Sequence, residues 1–370
     1  MIAPAAFEDI TFPQQSLQYW SEYESNQWCR AGLSYFTSGS GNGAVYGTNT
    51  AMTAIGRAIN HGILAENGKI YAAADAGSNI VTVIDTYTDT RTTITAGGNL
   101  ASYSAFYSPI TKMAYLPGFS AMRVINTTND TSSGSVTYSA GGNYSFWWGV
   151  GFDGRYAYGS RWIGGSQFMR MDLFNGTITN TAVTSYVGDP QNGTMGVNGK
   201  IYFGGGGGTT SGIHCYNPFT DTMEYVAVPG QSDVSDFYRD VVQHPNGFLY
   251  CFPAYGSDTI VRIDPRTNTA TIALSGVTDT RANNYAIGAD GLIYTVGNTD
   301  QMVIYNPFTN TVSYETLPSG DWQTIIMSPS GDLHMFSTAG SYRVKRLLNN
   351  GRVIRPLQEL NGIISRLTGA

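Results

Sequence analysis

Ile304-Tyr305-Asn306-Pro307-Phe308-Thr309-Asn310-Thr311 decides the fold, because the chain keeps repeating it. The clearest copies are Cys215-Tyr216-Asn217-Pro218-Phe219-Thr220-Asp221-Thr222, Arg262-Ile263-Asp264-Pro265-Arg266-Thr267-Asn268-Thr269 and Val83-Ile84-Asp85-Thr86-Tyr87-Thr88-Asp89-Thr90. Each opens with residues that suit a strand and closes with residues that suit a tight turn. Asp or Asn at the first turn position offers a side-chain oxygen to the backbone amides that follow. Pro at the next position presets φ and cannot donate to a ladder, so the strand stops there. The Asx residues stand at 85, 126, 172, 217, 264 and 306, with gaps of 41, 46, 45, 47 and 42 residues.

A period of about 40–50 residues with several short strands per repeat is the mark of a propeller blade. A second mark falls in step with it. Asn67-Gly68, Asp153-Gly154, Asn198-Gly199, Asn246-Gly247, Asp290-Gly291 and Ser330-Gly331 each precede an apolar strand such as Lys200-Ile201-Tyr202-Phe203. Such dipeptides tolerate positive φ and suit two-residue hairpin loops. The second repeat has Ser108-Pro109-Ile110-Thr111 instead. The seventh repeat is readable as strands over 324–327, 332–336, 342–347 and 352–356. The expected fold is therefore all-β. It is a seven-bladed β-propeller over 58–358, with six blades as the alternative, an N-terminal extension over 1–57 and a short C-terminal tail over 359–370. A lone blade cannot bury both its faces, and stacking against two neighbours does so.

The totals agree. The 370 residues include 45 Gly and 25 Tyr, and only 12% are charged. A net charge of -6 argues against a surface that tracks phosphates, so no nucleic-acid partner is expected. Cys29, Cys215 and Cys251 are too few and too odd in number for a disulfide framework and read as buried thiols. The first residues lack the basic start and apolar run of a secretory signal, and no apolar run is long enough to span a membrane. The five Asn-x-Ser/Thr sites, at Asn126, Asn129, Asn143, Asn175 and Asn192, are then by-products of an Asn/Thr-rich sequence.

The two ends stand outside the repeat. Phe7, Ile10, Phe12 and Trp20 give the extension an aromatic, weakly charged character. Leu360 and Ile364 belong to a stripe at helical spacing in the tail. The N-terminal stretch reads either as packing along the propeller rim or adding a strand to it, or as a docking arm for a larger assembly. The tail reads as a short helix packed on the rim or as a partner of that arm in docking.

The order of strand, Asp-Gly turn, Ile-Tyr strand and Val-x-Ile-Asp-Pro-x-Thr-Asn-Thr strand resembles YVTN-type and kelch-like propeller repeats. The resemblance covers about four-fifths of the chain and implies a blade but no chemistry. The weakly charged, Gly-, Thr-, Asn- and Tyr-rich composition resembles tailed-phage virion proteins.

If each first strand lines the channel, the loops entering it ring one mouth. Those loops supply Tyr103, Trp147, Trp148, Asn192, Tyr238, Arg239, Asp240, Asn284 and Trp322. Aromatic faces beside amides and an Arg-Asp pair suit sugar stacking and hydroxyl recognition. The competing reading wedges the aromatics between blades. Some propellers that resemble this one are lyases, lactonases or metal-dependent hydrolases, which need His and carboxylates converging on one channel end. Here His61 and His244 fall in first strands, His214 in a third and His334 in a second, so each reads as a satisfied structural histidine. No metal site, cofactor or catalytic residue is expected.

The expectation is a non-enzymatic bacteriophage virion protein, present in many copies. Its ends hold other virion proteins, and its propeller is displayed on the particle to bind a host surface glycan or another virion protein. Two alternatives stay open: a lyase- or lactonase-type enzyme acting at the channel, and an intracellular, cytoplasmic interaction scaffold.

Overall fold

The computed structural model describes residues 45–46, 50–52, 59–74, 78–100, 104–118, 121–137, 145–150, 155–161, 167–182, 193–204, 212–229, 241–253, 258–277, 285–288, 291–296, 300–317, 320, 322–329, 332–337, 341–344 and 346–347. These residues form strands and turns, with no helix among them. Seven four-stranded antiparallel sheets follow one another along the chain. Blade 1 holds Ile59–Leu64, Lys69–Ala74, Ser78–Asp85 and Arg91–Leu100, numbered outward from the first strand. Blades 2 to 6 repeat that order, with first strands Phe106–Ser108, Ser145–Val150, Gly193–Met195, Val241–Gln243 and Ala286–Ile287. First strands pack beside one another from blade 1 through blade 5 and from blade 6 to blade 7. Blades 5 and 6 share a core that includes Val242 and Ile287, and the first strand of blade 7, Trp322–Met327, packs beside that of blade 1. The sheets thus close into a β-propeller.

The core lies between blades. Second strands are apolar without alternation because both their faces are buried. In blade 1, Tyr71 and Ala73 face Tyr107 and Leu116 of blade 2, while Ile70 and Ala72 face Ile326 and Phe336 of blade 7. The Ile-Tyr strand of the sequence therefore sends its Tyr to one neighbour and its Ile to the other. The junction of blades 3 and 4 is aromatic, with Phe168 against Phe203 and Tyr216 at 5.5 and 4.2 Å. Cys215 and Cys251 are buried thiols in the core between blades 4 and 5.

Blade 7 corrects the sequence reading at the domain boundary. Its second and third strands are Leu333–Ser337 and Ser341–Val344. Its fourth is Thr50–Met52, from the stretch assigned to an extension, in the register Thr50↔Arg343, Ala51↔Tyr342 and Met52↔Ser341. Val45–Tyr46 also pairs with Arg346–Leu347. The propeller therefore includes residues before 58, and a strand from the N-terminal side closes its last blade. The strand expected at 352–356 lies outside the described residues.

Candidate functional site

Two sets of turns share one face of the ring. The first set joins strands one and two of a blade. In blade 1, Ala65 N–H donates to Lys69 O at 2.9 Å and Gly68 N–H donates to Ala65 O at 3.0 Å. The same pair recurs at Gly196 and Gly199, at His244 and Gly247, and at Gly288 and Gly291. These are three-residue loops, where the sequence suggested two-residue loops. One residue, the glycine, takes positive φ and forms the bulge, so the Asn before it need not.

The second set joins strands three and four and carries the repeated phrase. Each Asx accepts from the amide two residues on: Asp85 from Tyr87, Asn126 from Thr128, Asp172 from Phe174, Asn217 from Phe219, Asp264 from Arg266 and Asn306 from Phe308, at 2.9–3.0 Å. Two residues further, Asp89, Asp130, Asp221, Asn268 and Asn310 take φ of 53–57°, and Gly176 stands at the same place in blade 3. Asx residues tolerate that left-handed conformation better than other residues with a side chain. The phrase thus encodes one four-residue loop six times over.

The two sets latch neighbouring blades. Asn67 Nδ2 of blade 1 donates to Thr127 O of blade 2 at 2.7 Å, while Tyr71 Oη donates to Asp130 at 2.5 Å. Lys69 also pairs with Asp130. Between blades 4 and 5, Asn198 Nδ2 donates to Pro265 O at 2.5 Å and Tyr202 Oη donates to Asn268 at 2.9 Å. Burial pushes the Tyr71 and Tyr202 hydroxyls well above the ordinary phenol range. They therefore stay protonated and able to donate.

From this stiffened face the second residue after each Asx points outward. Tyr87 is 44% exposed, Phe174 64%, Phe219 56% and Phe308 42%. Arg266 holds the place in blade 5 and Thr128 in blade 2. Tyr87 lies on Gly68, where a Cβ would stand 2.1 Å from ring Cε2, and Arg266 lies in the same way on Gly247. The sequence quoted these tips inside the motif but did not single them out. Their signal was an aromatic recurring at a fixed place in a turn, at the second residue after the Asx.

The mouth set fares differently. Trp322 is 2% exposed and packs with Leu292, Met302 and Leu317 between blades 6 and 7. That corrects its assignment to ligand stacking, because the ring faces a neighbouring blade. Trp147 and Trp148 stand in the first strand of blade 3, opposite Gly159 and Tyr158, and not in a loop leading to it. Tyr103, Asn192, Tyr238, Arg239, Asp240 and Asn284 lie outside the described residues, as do Phe7, Ile10, Phe12, Trp20, Leu360 and Ile364.

The histidines are sealed. His61, His214, His244 and His334 are 1%, 2%, 0% and 0% exposed. Burial lowers the last three to about 4, so all three are neutral at pH 7. His244 is satisfied, with Nδ1 accepting from Asn246 N at 3.1 Å and Nε2 donating to Gly291 O at 3.0 Å. His334 corrects the expectation of satisfied histidines, because both its ring nitrogens are buried without a hydrogen-bond partner among the described residues. Among the described residues no group of three or more His, Cys, Asp or Glu is placed to hold a metal ion, and no helix could cross a membrane.

No family model matches the chain, and no curated protein matches it. Solved structures do. A streptogramin B lyase superposes with TM-score 0.67 at 12% identity, over 81% of this chain and 97% of the lyase. The extracellular domains of two hybrid two component systems from B. thetaiotaomicron superpose with TM-scores of 0.62 and 0.56, at 13% and 11% identity. They cover 82% and 78% of this chain, which spans about two-fifths of each of them, 40%. What they share with it is the fold. The chain is a β-propeller.

Proposed function

We propose that this propeller is a non-enzymatic structural and adhesion protein of a bacteriophage virion, displayed on the particle and working by surface contact. The observation that carries the adhesive part is the turn face, which exposes an aromatic tip at one fixed position in blades 1, 3, 4 and 6. An aromatic repeated at one exposed turn position around the ring offers the same contact group blade after blade. The virion setting comes from the composition. The four histidines are shut inside the blades, so a lyase-type alternative would have to work through other groups. The mouth residues outside the described set, with Trp147 and Trp148, belong to the same proposal as a second contact region.

Purified particles, tested with an antibody to this chain, decide the setting. The protein should band with intact particles at a fixed copy number. Finding it only in the lysate would overturn the virion assignment.

A further inference from the structure

We infer that the tips of the turn face are stacking platforms for neutral sugar rings, repeated from blade to blade. The inference deepens the adhesion proposal and rests on it. Of the eight large hydrophobic side chains exposed among the described residues, Tyr87, Phe174, Phe219 and Phe308 share one structural position. That position is the second residue after the turn Asx, so the fold repeats the same platform around the ring. In blade 5 the place goes to Arg266, another planar group.

Tyr87 rests on Gly68 and Phe308 stands edge-on to His244, which holds each ring in place, and the turn residues beside the tips are polar. Beside Tyr87, Phe219 and Phe308 stand hydrogen-bonded threonine pairs, Thr88 with Thr90, Thr220 with Thr222 and Thr309 with Thr311, at 2.6–2.8 Å. The left-handed residue of each loop, Asp89, Asp221 or Asn310, lies between the two threonines in sequence. Asp221 and Asn310 each hold a tyrosine hydroxyl with one oxygen, Tyr216 at 2.6 Å and Tyr305 at 2.8 Å, and a carboxylate carries a second acceptor oxygen and an amide a donor nitrogen. An aromatic face flanked by hydroxyl and carboxylate or amide oxygens can hold a pyranose through its C–H face and its hydroxyls together. A protein interface favours one contiguous apolar core. Here the tips belong to separate blades and alternate with threonine and Asx. The flanking Asp89 and Asp221, with a net charge of -6, disfavour acidic sugars and nucleic acid.

The test uses the full chain on immobilised dextran, mannan and laminarin, with heparin as the anionic control. Binding to at least one neutral polysaccharide is expected, with competition by its soluble oligosaccharide and none to heparin. Phe174→Ala and Phe219→Ala should each weaken it by about 2–10-fold, and Phe219→Trp should preserve or tighten it. Circular dichroism and the thermal midpoint confirm that each variant is folded. Failure to bind any of the three polysaccharides, or undiminished binding by the folded double alanine variant, overturns the proposal. Particles carrying that double variant separate the two readings. Lost adsorption without any polysaccharide binding leaves the adhesion role standing with a protein receptor. Absence of the chain from particles removes the virion role and leaves the sugar result untouched.

Discussion

At the scale of single residues, one buried side chain contradicts its surroundings. His334 is fully buried and neither ring nitrogen has a hydrogen-bond partner among the described residues, so the folded state carries the desolvation cost of two polar atoms. His334→Leu should therefore be neutral or stabilising, by roughly 1–3 kcal/mol, in urea unfolding at pH 7. The same histidine fixes a pH dependence. Its ordinary value of 6.5 falls to about 4 in the fold, so between those values the unfolded chain binds more protons than the folded one. Stability is thus full above pH 6.5 and is lost as pH falls toward 4. His214 and His244 shift the same way and add to the loss. Urea midpoints at half-unit pH steps should decline over that window, and less steeply in His334→Leu. A flat profile in the parent chain would contradict the neutral buried histidines. Asn198 makes the opposite case, because its amide donates to Tyr202 Oη and Pro265 O while its oxygen accepts from Lys200 N. Asn198→Ala should cost about 1–3 kcal/mol, read from the same unfolding curves.

At the scale of the element, the two turns show how little sequence each needs. The first hairpin requires a residue with positive φ and no side chain beneath the tip of the other turn. Gly247 has φ of 87° and lies 2.5 Å, measured from a would-be Cβ, below the Arg266 guanidinium. Gly247→Ala meets both obstacles and should lower stability by about 1–2 kcal/mol. Arg266→Ala should recover only part of that loss, because it removes the crowding and leaves the φ penalty. Full recovery in the double variant would show that crowding alone sets the cost. The turns were legible in the sequence because their chemistry is local. An Asx oxygen meets an amide two residues away whatever the rest of the chain does. Their loop length was misjudged at the first hairpin, since Asn-Gly fits both a two-residue loop and the end of a three-residue one.

At the scale of the whole molecule, closure rests on a short strand. Thr50–Met52 completes blade 7 through three residue pairs, across nearly the full length of the chain. Removing residues 1–53 should lower the thermal midpoint and bare the edge of Ser341–Val344, which then invites association between copies. Differential scanning calorimetry with light scattering checks both, and an unaltered midpoint would show that closure does not depend on this strand. The sequence by itself determined the repeat, its period and the turns that end each blade, because those depend on residues close together in the chain. Only the tertiary structure decided which strand closes the ring, since Thr50-Ala51-Met52 carries no mark of its distant partner. Only it decided that Trp322 faces a neighbouring blade while Phe174 and Phe219 face water. An aromatic side chain has the same affinity for a core and for a ligand, and which of the two it meets is set by neighbours that lie one blade away.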